Sequence, residues 1–230
     1  MLTQFPITQR WVPTNPTVIQ LYSMATPNGV KVSTMLEECG LAYEAHKVSI
    51  LDGDQMTAEF LSLSPNNKIP AILDPNGPDS QPMGLFETGA ILIYLAEKTG
   101  RFLSKDPATR YQTLQWLMWQ MGGAGPMFGQ FGFFYKFAGK EVQDPLPQNR
   151  FADESRRLLG VLDQHLSTRT VMVGDEYSIA DIALWPWINT LGGFYDAADR
   201  LGLADFSHVN RWLGECLARP ASQVGLKTPA

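Results

Sequence analysis

Strand-like and helix-like patterns alternate along the first half of the chain. Residues 18–22 form a short, mostly apolar run of strand length. Thr26 and Pro27 then supply a hydroxyl at a helix N-cap and a proline at the first helical position, and Gly40 follows the next apolar-periodic run. Residues 43–50 predict a second strand. Because a right-handed crossover joins parallel strands, we predict that the chain begins with a parallel βαβ unit.

The elements that follow complete a mixed sheet. The pattern predicts a short helix at residues 57–63, strands at 71–73 and 84–86, and a helix over 87–98 that ends before a glycine. The order βαβ, then α, then ββα is that of a thioredoxin-like arrangement. The predicted fold class is therefore an α/β domain whose mixed sheet has helices on both faces, followed by an all-α domain.

The second half of the chain lacks strand patterns. A long helical run after Phe102 meets the glycine-rich segment 122–126, which we expect to kink or break it. Residues 150–166 and 208–218 are helical in pattern, and Ser178 with Asp181 forms a capping box before an apolar helix. Asp181 is therefore expected to stabilise the fold and not to act in catalysis.

These patterns predict three segments. Residues 1–17 are read as an irregular N-terminal extension. Residues 18–98 form the thioredoxin-like domain, and residues 106–230 form the all-helical domain, with the junction near 99–105. A chain of 230 residues that is 44% hydrophobic contains enough apolar material for two such domains.

Composition and charge exclude several functions. With a formal net charge of -5 and no basic cluster, nucleic-acid binding is not expected. The three histidines are far apart and lack metal-ligand spacing, so no metal is expected. Neither an apolar run of membrane-spanning length nor a signal-peptide pattern is found, which predicts a cytoplasmic protein without a membrane partner. The two cysteines, Cys39 and Cys216, form no CxxC pair. Cys39 lies on the apolar side of the first helix and is expected in the core, and Cys216, in the last helix, has no basic neighbour that would mark it as reactive.

Four short motifs carry the candidate chemistry. They are TPNG at 26–29, SPNNKIPAI at 64–72, LFETGAI at 85–91 and GDEYSIADIA at 174–183. In this order and spacing they resemble the cytosolic glutathione transferase family across residues 18 to about 221. The first motif, together with segment 122–130, is similar to the bacterial Nu class, whose members are glutathione-dependent disulfide-bond oxidoreductases.

The resemblance implies that glutathione supplies the reactive thiol. Thr26 stands where glutaredoxin-like proteins carry a cysteine, so this position offers no thiol of its own. The Thr26 hydroxyl, the Asn28 amide and the start of the helix would stabilise the glutathione thiolate. One charge-assisted hydrogen bond, worth about 1.5–3 kcal/mol, lowers a thiol pKa by about one unit or more. Thr26 also serves as an N-cap, and one hydroxyl can perform both roles.

The other motifs would hold the glutathione peptide. Thr88 and the helix start suit the γ-glutamyl carboxylate, and Glu87 suits the adjacent ammonium, although plain helix capping also accounts for Thr88. Pro70 is expected to be cis, as in the family, so that the Ile69 backbone can pair with the cysteinyl unit; an ordinary turn proline is the alternative. The family commonly has Ser where this chain has Thr88, and the hydroxyl is retained.

Four further residues are weaker candidates. Gln55 matches a Nu-class glutamine at the glycine end of glutathione. Lys68 is a candidate there too, although an isolated lysine is usually only solvated. Arg150 aligns with a class arginine that reaches the glutathione of the other subunit in a homodimer, and Gln130 is a weak candidate at the same interface.

The predicted function is reduction of disulfides through bound glutathione. A conventional transferase that conjugates glutathione to electrophiles and a non-catalytic binding or regulatory module are the alternatives. The pocket is expected to hold two glutathiones or one glutathione disulfide per subunit. A dense aromatic stretch is assigned partly to the core and dimer interface and partly to an acceptor pocket. It comprises Phe128, Phe131, Phe133, Phe134, Tyr135 and Phe137.

Overall fold

The computed structural model describes residues 2–229. Met1 and Ala230, the outermost residues of the predicted extension and helical domain, lie outside the described residues. The chain forms two units, which are described separately. The first contains the residues up to Gly100 together with those from Pro220 onward, and the second spans Arg101–Arg219.

The first unit is built on a four-stranded mixed sheet. Its strands are β1 (Ile19–Ser23), β2 (Tyr43–Lys47), β3 (Ala71–Asp74) and β4 (Met83–Phe86). They lie in the order β2-β1-β3-β4; β1 and β2 are parallel, and β3 is antiparallel to both β1 and β4. The helices are α1 (Ile7–Arg10), α2 (Pro27–Cys39), α3 (Ala58–Leu61) and α4 (Thr88–Thr99), with 3-10 turns at Leu2–Gln4, Asp54–Met56 and Pro78–Ser80. The predicted thioredoxin-like arrangement is confirmed.

Alternation along the strands gives the sheet two buried faces. Tyr22, Ala71 and Leu73 share one face with residues from α1 and α3. Leu21 and Ile72 point to the opposite face and are fully buried. Helix α4 contacts β3 and β4 and also packs against α2.

The N-terminal segment differs from its sequence-based prediction. We predicted an irregular extension over 1–17, but Leu2–Gln4 forms a 3-10 turn and Ile7–Arg10 forms α1. The side chains of Leu2 and Ile7 lie in the core cluster that contains Tyr22 and Phe60. Burial of these side chains therefore stabilises helical turns that have no periodic signal of their own.

The second unit is entirely helical among its described residues. Its α-helices are α5 (Pro107–Trp119), α6 (Gly125–Tyr135), α7 (Leu146–Leu166), α8 (Ile179–Gly192), α9 (Ala198–Leu201) and α10 (Ser207–Leu217), with 3-10 turns at Ala138–Glu141 and Leu203–Asp205. The glycine-rich segment, where a kink or break was expected, forms a π-helical stretch at Gln120–Ala124 that links α5 to α6. The helical path continues through Pro126, whose missing N–H falls where the π-helical stretch changes to the α-helical hydrogen-bond pattern of α6.

The C-terminal segment returns to the first unit as α11 (Pro220–Gly225). The sequence-based boundary placed residues up to 230 in the helical domain, whereas α11 packs on α2. Ser33 Oγ donates to the Gly225 carbonyl at 2.9 Å. A Cβ at Gly225 would lie 2.3 Å from Thr34 Oγ1, so only glycine permits this close approach. Only Ala218 and Arg219 separate the end of α10 from the start of α11 at Pro220.

Asp181 connects three parts of the helical unit from a fully buried position. Its carboxylate accepts from the Ser178 N–H at 3.0 Å, the Met172 N–H at 2.9 Å and the Trp212 indole N–H at 2.9 Å. Ser178 completes the predicted capping box at the start of α8. This one side chain thus joins α8, α10 and the loop before α8.

We predict that Asp181→Ala lowers the free energy of unfolding by about 3 kcal/mol or more, because several buried donors lose their acceptor. Urea denaturation measures the change. Asp175→Ala, in the exposed part of the same loop, is the matched control and is expected to stay within about 0.5 kcal/mol of the parent. Equal stabilities for the two variants would contradict a structural role for Asp181.

Candidate functional site

Sheet register brings three chain segments to one end of the first unit. Tyr22 is opposite Ala71, and Ala71 is opposite Phe86. The chain leaves β1 and β4 just after this row and enters β3 just before it. The segments that contain Thr26 and Glu87, together with the peptide before Ala71, therefore lie at the same end of the sheet.

The first segment starts α2. Thr26 is the N-cap, and its hydroxyl accepts from the Gly29 N–H at 3.3 Å. The hydroxyl proton is then available for a further partner. A Cβ at Gly29 would lie 1.9 Å from the Met24 carbonyl oxygen, so the helix start approaches the end of β1 more closely than any side chain allows. Thr26 and Asn28 are half-buried at this helix start, where N–H groups and the helix dipole favour an anion.

The second segment enters β3 through Pro70. The Ile69–Pro70 bond is cis, as expected from the sequence. Pro70 is buried, Ile69 is half-buried, and the ladder of β3 begins only at Ala71. Ser64 Oγ donates to the Lys68 carbonyl at 2.9 Å and fixes the loop, while the Lys68 side chain is exposed.

The third segment starts α4. Glu87 precedes the helix with φ 71° and ψ 114°, a conformation that side-chain-bearing residues rarely adopt. Its side chain is exposed, whereas Thr88, the first helical residue, is buried. The turn thus presents a carboxylate beside the N–H groups of a helix start, which is the pair of opposite charges that a zwitterion requires.

Lys31 is a residue of this region that the sequence analysis missed. It lies on α2, is only 1% exposed, and its Nζ is 3.5 Å from Thr88 Oγ1. Burial lowers the pKa of its ammonium to about 7, and the Glu87 carboxylate opposes that shift. A signal was present in the sequence, because Lys31 is one helical turn before Met35 on the buried side of α2.

Gln55 lies on the 3-10 turn Asp54–Met56, in the connection after β2. Its Oε1 is buried and has no hydrogen-bond partner among residues 2–229, and its Nε2 is 3.4 Å from the Ile50 carbonyl. Asn67 Nδ2 lies 2.9 Å from Met56 Sδ, so this turn contacts the loop that leads to Pro70.

Two predicted site residues belong to the helical unit. The Arg150 side chain on α7 is 62% exposed, with Nη1 3.7 Å from Glu154 Oε2. Gln130 is exposed on α6. The remaining candidates from the sequence analysis all lie in the first unit.

The cysteines lie away from the start of α2. Cys39 is the last residue of α2, roughly 20 Å along the helix from Thr26 at 1.5 Å per residue. It is half-buried, with Sγ 3.5 Å from Thr99 Oγ1. Cys216 is buried in the helical unit. In the described part of the chain, no cluster of three or more His, Cys, Asp or Glu side chains could hold a metal ion.

The aromatic stretch divides between core and surface. Phe128 and Phe131 are buried in the helical unit, and Phe133 and Phe137 are 43% and 45% exposed.

Between residues 2 and 229, no helix has both the length and the apolar character that a membrane span requires.

The sequence matches two family models over most of its length. Residues 26–98 match the glutathione S-transferase N-terminal domain, and residues 126–220 match the glutathione S-transferase C-terminal domain. Together with the thioredoxin-like unit and the helical unit, these matches define the class of protein. The chain belongs to the glutathione S-transferase family.

Two relatives of the chain carry a more specific name than that of the family. The chain is 44% identical over 228 residues to the disulfide-bond oxidoreductase YghU of Escherichia coli K12, covering 96% of this chain and 78% of the relative. It is 46% identical over 210 residues to the disulfide-bond oxidoreductase YfcG of the same organism, covering 91% and 94%.

A solved structure from Pseudomonas putida is also similar to this chain. It is a glutathione transferase with one glutathione disulfide bound per subunit. The identity is 63% and the TM-score is 0.98, with 100% of this chain and 99% of that chain covered. A glutathione transferase from Burkholderia graminis, with two glutathione molecules bound per subunit, is 58% identical with a TM-score of 0.98, covering 100% and 95%.

We predict that Glu87→Gly is more stable than Glu87→Ala by about 1 kcal/mol, because glycine relieves the positive φ whereas alanine retains it. Comparing the two variants removes the effect of losing the carboxylate, since both lack it. Chemical denaturation gives the difference. A less stable glycine variant would show that the backbone at residue 87 is not strained.

Proposed function

We propose that this protein binds glutathione at the end of the sheet where α2, β3 and α4 begin, and reduces disulfides through the bound thiolate. The observation that carries the proposal is that the segments containing Thr26, Pro70 and Glu87 all adjoin the paired row of Tyr22, Ala71 and Phe86, at one end of the sheet. Relatives named disulfide-bond oxidoreductases, and similar structures with bound glutathione or glutathione disulfide, support the same function.

The γ-glutamyl end of glutathione is assigned to the start of α4. Its carboxylate would accept from Thr88 and the first N–H groups of the helix, and its ammonium would donate to Glu87. The Ile69 backbone, next to the cis-proline and outside the β3 ladder, would pair with the cysteinyl unit. Gln55 and Lys68 would meet the glycine carboxylate.

The thiol is assigned to the start of α2. Thr26 and Asn28 would donate to the thiolate, supported by the positive end of the helix dipole. The thiolate attacks one sulfur of the acceptor disulfide, forms a mixed disulfide and releases the other sulfur as a thiolate. A second glutathione thiolate then attacks the glutathione sulfur of the mixed disulfide, giving glutathione disulfide and the second acceptor thiol.

This sequence of steps requires no protein cysteine. Cys39 is at the far end of α2, and Cys216 is buried in the helical unit. Both reacting thiols are therefore assigned to glutathione. The relatives that hold two glutathiones or one glutathione disulfide per subunit support a pocket of this capacity.

The proposed assembly is a homodimer in which Arg150 reaches the glutathione of the other subunit and Gln130 lies at the interface. An exposed arginine whose one ion pair among residues 2–229 is a 3.7 Å contact with Glu154 is suited to that role. We place the protein in the cytoplasm, because that compartment keeps glutathione largely as the thiol that the reaction consumes.

We predict that Thr26→Ala and Asn28→Ala each lower kcat/KM for a small model disulfide by tenfold or more, equivalent to about 1.4 kcal/mol of lost transition-state stabilisation. The exposed Thr168→Ala serves as the matched control. A variant with Cys39→Ala and Cys216→Ser is expected to keep nearly full turnover, measured as glutathione disulfide formed.

The same assay separates the alternatives. Each variant is also tested with an aromatic electrophile, and disulfide reduction is expected to exceed conjugation. Robust conjugation without disulfide reduction would favour a conventional transferase, and neither activity would favour a binding module. A folded but inactive cysteine-less variant would overturn the glutathione-only mechanism.

We predict that Arg150→Ala and Glu87→Ala complement each other when their subunits are mixed. Each heterodimer has one site with both groups and one with neither, so an equal mixture is expected to recover about one quarter of parent activity. Mass spectrometry under native conditions establishes that heterodimers are present. If they form and activity is not recovered, Arg150 does not act across the interface.

A further inference from the structure

A cavity of about 310 Å³ lies within the helical unit, and every residue that lines it belongs to that unit. Helices α7, α8, α9 and α10 and the 3-10 turn at Leu203–Asp205 contribute to its walls. We call it the α8–α10 cleft. Its larger apolar lining residues are Leu159, Ile188, Leu203, Phe206, Val209 and Leu213.

The inner wall of the α8–α10 cleft is part of the packed core. Leu159 is fully buried, and Ile188 and Val209 are 2% and 1% exposed. Leu203 and Leu213 also line the cleft but are only half-buried. The cleft therefore leads from solvent to an apolar surface deep in the helical unit.

Two glycines at the end of α8 keep one wall of the cleft free of side chains. A Cβ at Gly192 would lie 3.3 Å from Leu203 Cδ1, and a Cβ at Gly193 would lie 2.9 Å from the Asn189 carbonyl oxygen. Both glycines line the cleft. Any larger residue at either position would press on the opposite atoms, so the open space depends on glycine here.

The charge of the lining restricts the kind of molecule that fits. All the side chains that line the cleft, among residues 2–229, are uncharged. On the adjoining elements, Asp163 accepts from the N–H groups of His208 and Val209 at 2.8 and 3.0 Å, and Arg200 donates to Asn149 Oδ1 at 2.7 Å. An ion in the cleft would lose hydration without gaining an ion pair from the lining, so the lining favours a neutral occupant.

Two amides, Asn189 and Asn210, give the cleft a small polar component. Asn210 Nδ2 donates to the Leu203 carbonyl at 2.9 Å, which fixes the orientation of that amide. An amide offers both donors and an acceptor, so either residue can pair with a hydroxyl or a carbonyl. Mostly apolar walls with a few polar groups, in a volume of about 300–1,000 Å³, are typical of small-molecule sites.

We propose that the α8–α10 cleft binds a neutral, apolar small molecule of two fused rings that carries one hydroxyl or carbonyl group. A dry apolar cavity of about 150 Å³ holds one benzene ring, so the volume of this cleft fits roughly two rings. The site is separate from the residues assigned to glutathione, and it gives the protein a second, non-catalytic ligand.

The probe that tests the proposal is 1-naphthol, and 1-naphthoate, with the same rings and a negative charge, is the matched control ligand. Both are titrated into protein with isotope-labelled Ile and Val methyl groups, with and without saturating S-hexylglutathione, whose alkyl chain fills apolar space beside a bound glutathione. NMR is expected to show the methyl signals of Ile188 and Val209 shifting to saturation at one naphthol per chain under both conditions. Binding of 1-naphthoate is expected to be at least tenfold weaker.

Variants that narrow the cleft test the same site from two elements. Ala198→Trp on α9 and Leu213→Trp on α10 are each expected to weaken 1-naphthol binding by tenfold or more, with the affinity for S-hexylglutathione unchanged. Ala204→Trp is the matched control, because Ala204 is an exposed residue of the adjoining 3-10 turn that does not line the cleft. Its affinity for 1-naphthol is expected to stay within twofold of the parent.

Several results would overturn the proposal. The methyl signals of Ile188 and Val209 could fail to shift up to the solubility limit of 1-naphthol, or the two ligands could bind equally well. Shifts of these signals on dilution of the protein alone would assign the cleft to a second copy of the chain. Parent-like affinity in both Ala198→Trp and Leu213→Trp, each shown to be folded, would place the probe elsewhere. A failure of glutathione binding would leave this inference standing, because the titration without S-hexylglutathione does not depend on it.

Discussion

The antiparallel pairing of β3 with β1 and β4 is the constraint on which the candidate site depends. Tyr22, Ala71 and Phe86 lie side by side across these strands, so the adjoining segments meet at one end of the sheet. A slip of one residue would turn every β3 side chain to the opposite face and displace Pro70 from the helix starts. All four residues of β3 are buried, which makes such a slip costly.

Two features next to Thr88 oppose stability. Glu87 has a positive φ, and Lys31 is buried with a lowered pKa. Each costs free energy that must be offset by the surrounding fold. Their location at a single helix start, where N–H groups favour an anion, is consistent with selection for ligand binding at the expense of local stability.

Features with a local cause were predicted well. Thr26 caps α2, Gly40 ends it in the left-handed conformation, and Ser178 with Asp181 forms the capping box of α8. The helical turn of residues 7–10 and the return of α11 to the first unit were missed. Ile7 packs in the core cluster on one face of the sheet, and Gly225 makes a close approach to α2. Neither segment has a periodic pattern of apolar residues that would indicate its helix or its packing.

The sequence by itself determined the order of the elements, their caps and the identity of the motifs, because these depend on residues within a few positions of one another. The tertiary structure decided which of them meet. Only the pairing of β1, β3 and β4 brings the three motif segments to one end of the sheet. The packing of α2 against α4 places Lys31 beside Thr88. Burial lowers the pKa of Lys31 and the Glu87 carboxylate opposes that shift, and both effects come from segments far from Lys31 in the chain.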